Sequence, residues 1–160
     1  MERNARRAAV PLIFLALAAL PAHAQSYDVI NLGLGGGTTR LTIAGINANG
    51  QVAGSAYTAS GEYHAFFASP STGVIDLGTL GDGYSEAIGI TASGMVVGNS
   101  GIPNDVAVPR PFVWTKDGGL VNIGSLGGRR SNAFGFNDAG TVVGGSDAGD
   151  GMYHAFAWSP

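Results

Sequence analysis

Few residues in this chain are able to do chemistry. Its 160 residues include three histidines, no cysteine, 11 acidic and 8 basic residues. Any general base, catalytic carboxylate pair or metal cluster must come from that short stock. His64 and His154 each precede Ala-Phe. A metal or catalytic role would require the fold to bring such histidines together. The plainer expectation is a polar strand residue bonded to backbone at a sheet edge. No Gly-x-Ser-x-Gly elbow occurs. The glycine clusters at 33–37 and 127–128 lack the Lys-Ser/Thr and the helical pattern of a phosphate loop, and read as turns.

Asp147-Ala148-Gly149-Asp150-Gly151 places two hard oxygen ligands in a glycine-rich loop, a chemistry suited to calcium. Its spacing matches neither the EF-hand loop nor the nonapeptide calcium repeat. The comparable loops 55–62 and 99–109 lack paired acids, so Asp147 and Asp150 are the weak calcium candidates and a solvated loop is the alternative. No cofactor and no catalytic residue is expected. The remaining functional feature is aromatic: Trp114, Trp158, Tyr57, Tyr63, Tyr84 and Tyr153. Exposed rings near Asn and Asp stack on sugar faces while the polar groups bond hydroxyls. The candidate ligand-binding residues are therefore Trp114, Trp158, Tyr63 and Tyr153, with His64 and His154. Against this, Trp114 and Trp158 share a repeat position with Ala68, which points to packing.

The elements that must position these residues come from an internal repeat of about 45 residues. Val29-Ile30-Asn31-Leu32-Gly33 aligns with Val74-Ile75-Asp76-Leu77-Gly78 and Leu120-Val121-Asn122-Ile123-Gly124. Gly45-Ile46-Asn47-Ala48-Asn49-Gly50 aligns with Gly89-Ile90-Thr91-Ala92-Ser93-Gly94 and Gly135-Phe136-Asn137-Asp138-Ala139-Gly140. Each leads into a Val-containing segment ending at Gly54, Gly98 or Gly144. The unit closes on His64-Ala65-Phe66, Arg110-Pro111-Phe112 and His154-Ala155-Phe156.

Short apolar runs bounded by glycine and small polar residues are strands, and the Asn/Thr-x-x-Gly pieces are tight turns with glycine at positive φ. The expected fold is all-β: three four-stranded antiparallel repeats resembling β-propeller blades, a partial propeller or half of a dimeric one. The units run 27–72, 73–118 and 119–160, opening on the Val-Ile, Val-Ile and Leu-Val strands respectively. Ile46, Ile90 and Phe136, then Val52, Val96 and Val142, then Phe66, Phe112 and Phe156, are the expected core between blades. The divergent segment before each closing run is expected to be a surface loop.

Composition agrees: 12% charged residues and 27 glycines disfavour a helical fold. Residues 1–24 read as a secretory signal peptide, with Arg3, Arg6 and Arg7, an uncharged run from Ala8 to Leu20, and Ala22-His23-Ala24 at the cleavage site. The run is short of the roughly 20 residues that span a bilayer, and nothing later is apolar enough to do so. Cleavage leaves residues 25–160 and a net negative chain. Its only bases are Arg40, Arg110, Lys116, Arg129 and Arg130, too few to form a nucleic-acid stripe. A secreted, extracellular or periplasmic chain without cysteine must be held by burial and strand pairing.

The Asp76-Leu77-Gly78-Thr79-Leu80-Gly81 stretch, the Gly-Ile-Asn-like turns and His-Ala-Phe at 64–66 and 154–156 resemble the HAF-repeat family of bacterial extracellular proteins, of the PEP-CTERM-associated type. The resemblance covers nearly all of 27–160. It implies export and repeat architecture without an established enzymatic activity. The chain departs from the pattern at Arg110-Pro111-Phe112, and Pro160 is reached without a sorting segment, so an anchored form is not expected. The resulting expectation is an exported, non-enzymatic binding or surface-interaction module. Self-association of two chains into a closed six-blade ring would satisfy its edges; the alternative is a shortened version of a longer repeat array, whose exposed edges would be an aggregation liability. A lectin-like carbohydrate or surface-polymer binder is the alternative, and a degenerate propeller hydrolase or lyase is the third reading.

Overall fold

The computed structural model describes residues 29–32, 40–103 and 105–160. The expected signal peptide at 1–24 and the glycine cluster at 33–37 lie outside them. Every helix or strand among the described residues is a β-strand, and these form three antiparallel sheets. Sheet 1 holds β1 (Leu41–Ile46), β2 (Val52–Tyr57), β3 (Tyr63–Ser69) and β4 (Gly73–Asp76), in sequence order. Sheet 2 repeats this with β5 (Ser85–Ile90), β6 (Val96–Ile102), β7 (Asp105–Thr115) and β8 (Gly119–Asn122). Sheet 3 has three strands rather than the expected four: β9 (Gly127–Phe136), β10 (Val142–Ala148) and β11 (Tyr153–Trp158).

The phase differs from the sequence units. The Val-Ile run that opens the second unit is β4, the edge strand of sheet 1, and the Leu-Val run of the third unit is β8, the edge of sheet 2. Turn length decides this. Only 70–72 separate β3 from β4, and Gly73 at φ +68° lets the chain reverse at once. The longer segment 77–84 instead carries the chain across to the next sheet. Val29–Leu32 belongs to no strand. The expected loop 99–109 is largely strand, because β6 and β7 run on until Ile102 faces Asp105.

The hairpin turns form as their residues dictate. Gly50 N–H donates to Asn47 O and Asn47 N–H to Gln51 O, both at 3.0 Å, with Gly50 at φ +70°. The Asn47 side-chain oxygen accepts the Asn49 and Gln51 amides at 3.0 and 3.1 Å. Thr91–Gly94 and Asn137–Gly140 repeat the backbone pattern.

Each sheet has a rear face toward the earlier sheet and a front face toward the later one. Ala53, Ala65 and Phe67 on the front of sheet 1 pack against Ile90, Val96, Phe112 and Trp114 on the rear of sheet 2. Val97 and Val113 on the front of sheet 2 meet Ala133, Val142, Phe136 and Trp158 of sheet 3. Two latches reinforce the stack. Each begins at a β-bulge, where a backbone amide is diverted from its own ladder. Ala87 N–H donates to Ser55 Oγ of sheet 1 at 2.9 Å, and Ala133 N–H donates to Asn99 Oδ1 of sheet 2 at 2.8 Å. Asn99 also donates to Ala133 O. The equivalent residue in sheet 3 is Gly145, which has no side chain to offer.

Repeat equivalence also explains one orphan. Ser85 Oγ is buried, accepts Ala65 N–H at 2.8 Å and donates to Gly78 O at 2.6 Å. Its counterpart Ser131 Oγ is buried without a partner. The residue matching Ala65 is Pro111, which has no N–H to give.

The core expectation needs one correction. Ile90 is 9% exposed, but Ile46 is 69% exposed, because no sheet among the described residues lies behind sheet 1. Leu41 and Ile43 on the same face are exposed as well. At the other end, Phe134, Val143 and Tyr153 on the front of sheet 3 lie open.

Candidate functional site

Pairing of β3 with β4 sets Phe66 opposite Asp76 and brings the Asp76 carboxylate to His64. The His64 Nδ1 lies 2.9 and 3.0 Å from its two oxygens, and Nε2 lies 3.9 Å from Glu62. A carboxylate only accepts, so Nδ1 carries the proton. The far nitrogen faces a second carboxylate, and the nearby Ser60 hydroxyl donates to Glu62 at 3.0 Å. This is a cradle for an imidazole between two acids, without the hydroxyl-to-Nε2 geometry of a nucleophilic triad.

His154 bonds Asp150 through Nε2 at 3.0 Å, on a different sheet. The two histidines are not brought together, and both bond carboxylates rather than backbone, which corrects the edge-backbone expectation. At the matching position of sheet 2, Arg110 donates to the carbonyls of Arg129 and Gly128, tying sheet 2 to sheet 3. Among the described residues no group of three or more His, Asp or Glu is arranged to hold a metal.

The calcium candidates are engaged elsewhere. Asp147 receives the Arg130 backbone N–H at 3.0 Å and two guanidinium bonds at 3.1 and 3.0 Å. These bonds hold its carboxyl below the usual range. Asp150 accepts Met152 N–H at 2.9 Å and pairs with His154, and is shifted down for that reason. The two carboxylates serve a β-turn and an ion pair on β9–β10 instead of converging on one point. Arg130 also lies 5.7 Å from the centre of the Tyr153 ring.

Among the aromatic candidates, Trp114 is buried at 6% exposure, its ring 5.1 Å from Phe67 between sheets 1 and 2. It has no face to offer a ligand, and its place in the binding set is withdrawn. Trp158 is half-buried against sheet 2. Tyr63, by contrast, centres a half-exposed cluster. Tyr57 packs edge-on at 5.0 Å, Tyr84 stacks at 6.0 Å, and the Arg40 guanidinium sits 5.7 Å from the Tyr63 ring. Tyr63 OH donates to Thr42 at 3.1 Å and Tyr84 OH to Glu86 at 2.7 Å. Burial and that bond to Glu86 push the Tyr84 phenol upward, so it stays protonated.

Tyr57 and Tyr63 flank one hairpin turn, a proximity that strand alternation signals in the sequence. Thr42 reaches Tyr63 from β1 of the same sheet and Arg40 from the residue before that strand, whereas Glu86 joins from β5 of sheet 2, and no local pattern announces them. A separate apolar cavity of about 270 Å³ lies behind sheet 1, lined by Ile30, Leu32, Leu41, Ile43, Phe66 and Val74 with Asn31.

No protein-family profile, curated protein or solved structure matches the chain.

Proposed function

We propose that the protein is an exported, non-catalytic interaction module of the His-Ala-Phe repeat kind, with propeller-like blades, whose partner is a second copy of itself. One observation carries this reading: among the described residues the stack ends in two open apolar faces, and each is the repeat equivalent of a face that is buried inside the molecule. Ile43 and Ile46 behind sheet 1 match Ala87 and Ile90, which are buried against sheet 1, as Ala133 and Phe136 are packed against sheet 2. Phe134 and Val143 in front of sheet 3 match Ile88 and Val97, which pack into the sheet 2–sheet 3 core. The rear of one copy therefore suits the front of another. Such head-to-tail contacts close into rings when the rotation permits, and two copies would give six sheets, within the 4–8 blades of propellers. The carboxylate partners of both histidines support a structural role for His-Ala-Phe, and the acidic surface disfavours nucleic acid.

Light scattering coupled to size exclusion tests this. The wild-type protein is expected as a discrete multiple of the chain mass, and Ile43→Lys as a monomer with an unchanged circular dichroism spectrum. A wild-type monomer at every concentration overturns the reading.

The tyrosine cluster favours a second reading, a lectin-like carbohydrate site at Tyr57, Tyr63 and Tyr84 with Arg40 and Glu86 as polar partners. Stacked rings with a cation and a carboxylate beside them suit the apolar face and hydroxyl rim of a sugar. On a glycan array, wild-type binding to at least one sugar class and its loss in Tyr63→Ala with the fold intact would support this. Silence of the wild type across the array would reject it.

A further inference from the structure

Sheet 3 and the segment Val29–Leu32 are each incomplete in a way that the other would complete. Among the described residues, β11 has β10 on one side and no strand on the other, whereas β3 and β7 carry β4 and β8 at that place. Val29-Ile30-Asn31-Leu32 is the repeat equivalent of β4 with Leu77 and of β8 with Ile123, yet none of the four residues lies in a strand. Val29 is 99% and Ile30 61% exposed.

The segment already stands where a donor strand would have to be. Leu77, which follows β4, packs into the core between sheets 1 and 2. Ile123, which follows β8, packs into the core between sheets 2 and 3. Leu32 packs in the same way on the rear of sheet 1, against the cluster of Val52, Phe66 and Ala68. The chain thus enters sheet 1 as it enters sheets 2 and 3, from the edge of a sheet that should lie behind it. The connection has the length for this. Residues 78–84 and 124–130 join Leu77 to Ser85 and Ile123 to Ser131, and 33–40, one residue longer, joins Leu32 to Leu41.

We propose that Val29–Leu32 of one copy forms the fourth strand of sheet 3 of a second copy, antiparallel to β11. The register follows from the two complete sheets. Phe67 faces Ile75 and Val113 faces Val121; Ala68 faces Val74 and Trp114 faces Leu120. Ile30 therefore faces Ala157, and Val29 faces Trp158. Donation places the front of sheet 3 behind sheet 1 of the next copy, which covers Phe134 and Val143 with the face of Leu41 and Ile43. It also pairs the edge of β11 that is open among the described residues, the kind of edge that templates uncontrolled strand addition. This assignment rests on the second-copy reading above and specifies the segment that crosses.

The protein lacks cysteine, so a designed pair reports without background. Facing residues of an antiparallel pair have Cα atoms roughly 4.5–5.5 Å apart, inside the disulfide range. Ile30→Cys with Ala157→Cys changes two exposed side chains. After mild oxidation of the purified protein, the expected product on a non-reducing gel is a covalent multimer, absent when either cysteine stands alone. Its mass in light scattering should equal that of the unoxidised assembly. A cross-linked monomer would show that the segment folds onto its own sheet 3 and would overturn exchange between copies. A multimer that never cross-links would overturn the strand assignment and leave face-to-face association standing. A wild type that is monomeric throughout would remove both.

Discussion

Phe112→Ala is expected to cost about 3–5 kcal/mol of folding stability, the usual range for removing a buried phenylalanine. Phe112 is fully buried, the largest side chain so enclosed among the described residues, and sits in the core that joins sheets 1 and 2. Its ring lies over Gly98 on β6, the residue it faces across the ladder. Truncation would open a cavity against Ala87, Ile90 and Trp114, and that cluster is shared by two sheets, so both would loosen. A loss of this size takes much of the roughly 5–15 kcal/mol that a domain commands. Urea denaturation followed by circular dichroism measures it. Phe156→Ala, at the matching but half-exposed position of sheet 3, should lose less. Equal losses would show that position in the repeat, rather than burial, sets the cost.

The second large effect is expected at the glycine beneath that ring. A methyl group on Gly98 would meet the carbonyl oxygen of Glu86 and lie 2.5 Å from Phe112 Cζ, in a strand held on both sides. Gly98→Ala should therefore reach the upper end of the roughly 1–3 kcal/mol typical of overpacking, or exceed it. Gly54 under Phe66 and Gly144 under Phe156 show the same contact, at 2.6 and 2.7 Å from the ring, so one glycine–phenylalanine pair recurs in all three sheets. Gly45→Ala is the control, since its nearest neighbour would be Ile90 Cγ2 at 3.7 Å. Adding Phe112→Ala to Gly98→Ala should cost less than the two losses combined, because the ring is half of the clash. Strict additivity would mean that the ring is not what excludes the methyl group.

Much of the architecture is legible in the sequence because strands and turns are local events. Short apolar runs bounded by glycine and small polar residues mark strands, and Asn47, Thr91 and Asn137 three residues before a glycine mark the hairpins. Which strand pairs with which is less local. The apolar run at 74–76 reads equally well as the first strand of one unit or the last of another, and only the short turn 70–72 decides. The same gap hides the partner of His64, since Asp76 lies in the following unit. Ile46 reads as core because periodicity treats all copies alike, whereas burial depends on having a sheet on each side. Trp114 shows the opposite case: its ring suggests recognition by type, whereas its repeat position, shared with Ala68, points to the packing found between sheets 1 and 2. The tyrosine cluster was half visible, as two rings flanking a turn; its third ring and its charged partners come from the linker and the neighbouring strands.

The offset between sequence unit and sheet also separates what is inherited from what folds. A duplication cut at the boundary between units would copy an opening run with each new piece. That run would serve as the outermost strand of whatever sheet precedes it, so an inserted copy would hand a strand backward and take one from the copy that follows. No sheet in such a chain is finished by the residues of its own unit. Units could be gained or lost during descent without leaving a raw edge in the middle of the chain, and the unmet demand would always be moved to the two ends.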